Sequence, residues 1–151
     1  MRDIFESRLW KIEHKLAGHI KISNRVLHGV DHWREVALLA GKIANDSGAD
    51  VESAMVAGFL HDVGRTNEFY DPTHGRESAR IAKPLIEQYY PHIDADKVCD
   101  AIARHADGMI TDDPVEGSLW DADRLALRRI GLTIREDLLS TDAGKRILRG
   151  Q

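Results

Sequence analysis

Apolar residues recur along the chain at helical intervals, and no segment alternates with period two for more than a few residues. The stripe Ile4, Phe5, Leu9, Ile12 and Leu16 predicts a first helix over residues 4–17. Val36, Leu39, Ala40 and Ile43 fall at i, i+3, i+4 and i+7 and predict a second over 31–45, stopped by Asp46-Ser47-Gly48. Asp50 reads as the N-cap of a third helix that runs to Asp62 and is closed by Gly64. The polar stretch 65–75, with Asp71-Pro72 inside it, is the longest interruption between helices, and such loops often carry function. A fourth helix is predicted over 76–90, stopped by Pro91, with Pro84 as a candidate kink. Asp94 caps a fifth over 95–106. Asp113-Pro114-Val115-Glu116 has the form of a capping box with Pro at the first helical position. It opens a sixth helix to residue 130, with a candidate break at Gly117 and a stop at Gly131. Residues 133–136 open a last, weaker helix. The expected fold is all-α, a single-domain helical bundle over residues 1–151.

Composition narrows the field of functions. Apolar residues make up 42% of the 151, and charged residues 30%, values that fit one packed core and argue against wholesale disorder. Acidic residues outnumber basic ones, 25 to 21, so no basic excess marks a surface for long nucleic acid. The longest apolar run, residues 54–60, is far short of the roughly 20 residues a bilayer requires. No signal-peptide layout opens the chain, so a cytoplasmic location away from membranes is expected. Cys99 is the only cysteine, which excludes an intrachain disulfide and a cysteine zinc cluster. The departure from ordinary composition is eight histidines.

Those histidines are placed by the helical pattern. One turn back from Val36 stands His32, and four residues further back His28. The stripe Val51, Met55, Gly58, Phe59 continues to Asp62, and the neighbouring row Ala54, Ala57, Gly58 continues to His61. Ser78, Ile81, Ala82, Leu85, Ile86 and Tyr89 face inward on the fourth helix, and His74 lies four residues before Ser78. Val98, Ala101 and Ile102 lead to His105. Asp123 fills the gap between Leu119 and the inward Ala126, Leu127 and Ile130. A lone inward histidine is usually a satisfied core group, and an unpartnered buried carboxylate costs several kcal/mol. Five such coincidences are explained together by a bound cation, which takes neutral imidazoles and ionised carboxylates at once.

The order His32, His61-Asp62, His74, His105, Asp123 resembles the HD-domain superfamily of metal-dependent phosphohydrolases. Three motifs carry the resemblance: Asp31-His32-Trp33-Arg34-Glu35-Val36, Phe59-Leu60-His61-Asp62-Val63-Gly64 and Asp121-Ala122-Asp123-Arg124-Leu125. Together they span about residues 26–130, with the N-terminal helix and C-terminal tail packed on that core. The resemblance implies one metal held by His32, His61, Asp62 and Asp123. In members with two metals, further histidines join, here His74 and His105, with Asp62 bridging. The implied cofactor is one or two divalent transition-metal ions, manganese, iron, cobalt, nickel or zinc. Two choices stay open: Asp121 as the ligand in place of Asp123, or else as the group orienting a ligand imidazole, and His28 in place of His32.

The implied activity is hydrolysis of a nucleotide or other small phosphate ester, with Asp62 orienting the attacking water or taking its proton. Arg65 is the first choice for a phosphate contact, with Asn67 and Arg76 flanking the same loop; an exposed loop charge is the competing reading for Arg65. Arg104 and Arg124 leave the inward stripe by about 100° and are expected in surface ion pairs. His14, His19 and His92 are expected on the surface, and Trp33 and Trp120 as walls beside the site. Two other classes remain: a di-iron oxygenase using the same ligands, and a non-catalytic metal-binding module. A homodimer through the first helix and the tail is left open, with no heptad to specify it.

Overall fold

The computed structural model describes residues 3–151; Met1 and Arg2 of the expected domain lie outside the described residues. Among the described residues seven α-helices follow in order: α1 (Ile4–Leu16), α2 (Val30–Ser47), α3 (Val51–Leu60), α4 (His74–Tyr89), α5 (Ala95–Ala103), α6 (Pro114–Ala126) and α7 (Asp142–Leu148). No strand occurs among the described residues. Short side chains start most of the helices. Asp3, Asp50, Asp94, Asp113 and Thr141 each accept a hydrogen bond from a first-turn backbone N–H. Gly48 and Gly131 close their segments at φ 72° and 85°.

The α3 helix is the centre of the bundle. Every residue from Ser53 to Leu60 is buried, the pattern of a helix enclosed on all sides. It touches α1, α2, α4, α5 and α6. Gly58 allows the close approach of α2, because a Cβ there would stand 2.8 Å from the Ala37 Cα. Buried side chains from all seven helices form one continuous cluster. Glu13 grips the Arg34 guanidinium at both ends, 2.7 Å each, and fastens α1 to α2. Trp120 Nε1 donates to the Ala101 carbonyl at 3.0 Å and ties α6 to α5.

Several expectations need correction. Helix α5 ends at Ala103, and residues 104–106 form a separate turn in which the His105 N–H donates to the Ile102 carbonyl. Gly117 does not break α6; it lies inside the helix where a Cβ would meet Thr141 Cγ2 at 3.0 Å. The capping box is half formed. Asp113 accepts from Val115 and Glu116, but the Glu116 carboxylate turns to Arg104. Ile130 is exposed, because α6 gives way after Ala126 to a 3-10 turn over Leu127–Ile130. Residues 133–136 open only a short 3-10 turn, Glu136–Leu138, and the final α-helix, α7, lies beyond it.

Candidate metal centre

The expected ligands converge at one end of α3. His61 and Asp62 lie in the turn that leaves it, held against α4 by a hydrogen bond from the Gly64 N–H to Ser78 Oγ at 2.9 Å. His32 stands in the first turn of α2, and His74 is the first residue of α4. His105 follows α5, and Asp123 projects from α6. His32, His61, Asp62, His74 and His105 are buried, and Asp123 retains slight exposure.

Two clusters share one carboxylate. In the first, His32 Nε2 lies 3.2 Å from His61 Nε2, and both lie 3.2 Å from Asp123 Oδ1 and 3.5 Å from Asp62 Oδ2. In the second, His74 Nε2 and His105 Nε2 are 3.1 Å apart, each 3.4 Å from Asp62 Oδ1. With metal–ligand bonds of about 2.1 Å, ligand atoms at the corners of an octahedron or tetrahedron stand roughly 3.0–3.4 Å apart. The donor set therefore fits a divalent metal, and its nitrogen content favours a transition metal over calcium or magnesium.

The tautomers agree with that fit. His61 Nδ1 sits 2.6 Å from the Gly58 carbonyl, His74 Nδ1 2.5 Å from that of Asp71 and His105 Nδ1 2.7 Å from that of Ile102. A carbonyl only accepts, so each Nδ1 donates, and in the neutral ring Nε2 presents a bare lone pair to the cluster. Bare nitrogens about 3 Å apart need a cation between or beside them. Burial disfavours a charged His61, but the Asp62 and Asp123 carboxylates outweigh it and lift the imidazole to about 9. Burial likewise works against ionised Asp62 and Asp123, yet His61 and the surrounding imidazoles hold both carboxyls well below the usual range. The carboxylates stay ionised, as metal ligands must.

The remaining candidates are distributed differently. His28 lies in the turn before α2, with Nδ1 3.3 Å from Asp62 Oδ2, so it stands beside His32 rather than in its place. Trp33 Nε1 donates to the His28 carbonyl at 2.9 Å and fixes that turn. Asp121 meets no imidazole. Two residues before Asp123, it points to the other side of α6 and accepts from Ser140 N, Thr141 N and Thr141 Oγ1 at 2.7–2.8 Å. Its task is to anchor the C-terminal segment, which corrects the orienting role expected for it.

Arg65 is nearly buried, with Nη2 3.1 Å from His74 Nε2 and Nη1 donating to the Asn67 and Phe69 carbonyls. Asn67 shapes the loop, accepting from Phe69 N and donating to the Tyr70 carbonyl. Arg76 is exposed, 3.9 Å from Asp107. A pocket of about 240 Å³ opens onto the centre, lined among others by His28, Asp62, Arg65, His105, Asp123 and Arg124. A larger cavity of about 370 Å³, between Asp46, Thr111 and Arg146, has no imidazole in its wall.

Arg124 is the pocket residue that helical periodicity misplaces. It makes no surface ion pair. Its guanidinium donates to the Met109 carbonyl at 2.6 Å and to that of Leu138, and burial lowers its pKa. Its neighbour Asp123 was the available signal, since a residue adjoining a ligand near a helix end can still face the mouth of the site. Arg104 pairs with Asp100 and Glu116 as expected, and His14, His19 and His92 are exposed.

The family model for the HD domain matches residues 29–137. The chain belongs to the HD domain family. Relatives of this HD domain include Ribonuclease Y 1 of Pediococcus pentosaceus, 36% identical over 97 residues, which cover 63% of the chain and 17% of that protein. Ribonuclease Y of Mycoplasma capricolum subsp. capricolum is 42% identical over 77 residues, 48% of the chain and 15% of the relative. Ribonuclease Y of Syntrophobacter fumaroxidans is 32% identical over 130 residues, 84% of the chain and 23% of the relative. The HD domain thus spans under a quarter of the length of each of these curated relatives. No solved structure matches it. Among the described residues, no helix is long and apolar enough to cross a membrane.

Proposed function

We propose that this HD domain is a metal-dependent phosphohydrolase acting on a nucleotide or another small phosphate ester. The observation that carries the reading is the sharing of Asp62, one oxygen toward each histidine cluster, at the floor of an open pocket. When bound, a divalent ion would lower the pKa of water and polarise a phosphoryl oxygen. His32, His61, Asp62 and Asp123 would hold it.

The chain's own groups supply position and charge. Asp62, in the lining of the pocket, is the carboxylate suited to orient an attacking water or take its proton. Arg124 and Arg65 stand in the pocket wall and lend it positive charge that favours a phosphoryl group. The pocket's 240 Å³ sits below the usual range of ligand cavities, about 300–1,000 Å³, and suits a phosphate with its attached group partly outside.

A second reading, cleavage of RNA, draws on the Ribonuclease Y relatives. The net charge of −4 speaks against a long nucleic-acid track. One screen tests both readings: manganese-loaded protein against nucleoside mono-, di- and triphosphates, p-nitrophenyl phosphate, its bis ester and a short RNA. Turnover of small esters, lost on Asp123→Asn, supports the first reading. Turnover of RNA alone supports the second. No turnover, with metal bound, leaves a binding module.

A further inference from the structure

We infer that Arg65 fills the position of a second cation, so that the domain binds one metal ion rather than two. The inference rests on the metal-binding reading above and refines it. His74 Nε2, His105 Nε2 and Asp62 Oδ1 form a triangle with edges of 3.1, 3.4 and 3.4 Å. The fourth neighbour of this triangle is a cation already. Arg65 Nη2 stands 3.1 Å from His74 Nε2, and Arg65 Nε lies 3.7 Å from Asp62 Oδ1. His74 Nδ1 donates to the Asp71 carbonyl, so its Nε2 has one lone pair, and Arg65 takes it. The same lone pair cannot also bind a metal.

Arg65 is not placed to swing aside. Its side chain is 9% exposed, and Nη1 donates to the carbonyls of Asn67 and Phe69. The loop around it is closed on itself, with the Thr66 N–H and hydroxyl donating to Asp71. From outside, Arg25 donates to the carbonyls of Arg65 and Thr66. The guanidinium fork suits this double duty, one arm toward the loop and one toward the imidazole. Charge points the same way. One divalent ion balances Asp62 and Asp123, whereas a second would leave excess positive charge beside a buried guanidinium. In the first cluster, by contrast, His32, His61 and Asp123 meet one another and Asp62 Oδ2, and both carboxylates contribute an oxygen.

The test is manganese binding by the full chain, measured as equivalents per chain by equilibrium dialysis and elemental analysis. The wild type should bind one equivalent. Arg65→Met should admit a second, tightened by roughly one order of magnitude or more, the size that partners of metal ligands carry. Adding His74→Ala to Arg65→Met should abolish that second equivalent. Arg65→Lys, which keeps a charge, should remain at one equivalent. Two equivalents in the wild type, or one in a folded Arg65→Met, would overturn the inference while leaving the metal centre standing. A wild-type chain that binds no manganese or other transition metal would instead remove the metal-binding reading on which it depends.

Discussion

Asp62 carries more of the site than any other residue, because its two oxygens face different histidines. Its neighbours divide the remaining work. Asp123 contacts His32 and His61, whereas Asp121 holds the backbone of Ser140 and Thr141. Asp123→Asn is therefore expected to lose metal with little loss of fold. Asp121→Asn should keep metal but destabilise the chain by about 1–3 kcal/mol, through weakened buried hydrogen bonds. Metal analysis and thermal denaturation of the two variants separate these effects. His61 adds a pH dependence. Its imidazole, lifted to about 9, holds a proton at neutral pH that a metal must displace. Metal affinity should thus rise with pH up to about 9 and level off above it, with proton release on binding at pH 7, read by calorimetry in buffers of different ionisation enthalpy. At this scale the histidines and the His-Asp pair were legible because each extends an apolar stripe by one turn. Arg124 was not, since one step of periodicity carries it off the stripe while the end of α6 brings it back over the pocket. The carbonyls of Gly58, Asp71 and Ile102 leave no side-chain signal at all.

The helices earn their positions through caps and close approaches. Asp50, Asp94 and Asp113 mark their helix starts because a short carboxylate beside an apolar run has one economical use there. The departures have local causes. Helix α5 stops early because His105 must leave the helical path to bring Nε2 to the centre while its Nδ1 reaches the Ile102 carbonyl. Gly117 looked like a break, but its missing Cβ makes room for Ser140 and Thr141. The α2–α3 contact uses the same device near the site. Gly58→Ala would press a methyl group to 2.8 Å from the Ala37 Cα, where backbone must move. The expected cost is about 1–3 kcal/mol, with weakened metal binding as His61 shifts at the end of α3; chemical denaturation and metal titration check both.

Over the whole molecule, the centre joins parts distant in sequence. Residues 32, 61–62, 74, 105 and 123 meet only when five helices are packed, so a bound ion stabilises the folded state alone. Removal by a chelator should lower Tm. Free metal at a hundred times Kd contributes about 2.7 kcal/mol, which for a chain of this size is roughly 5–10 °C. The all-α architecture was legible, and the family model matches residues 29–137. The C-terminal segment was not. Helix α7 is seven residues long, with only Ala143 and Gly144 buried, and is held by Thr141 and Asp121 rather than by a stripe of its own.

The central claim is that separated imidazoles and carboxylates act together as one metal site. Its most direct test is the transition-metal content of the chain purified without added metal, compared with that of Asp62→Ala. Near-stoichiometric metal in the wild type, lost in the variant, is the predicted result. Full metal retained by Asp62→Ala, or none in the wild type, would contradict it.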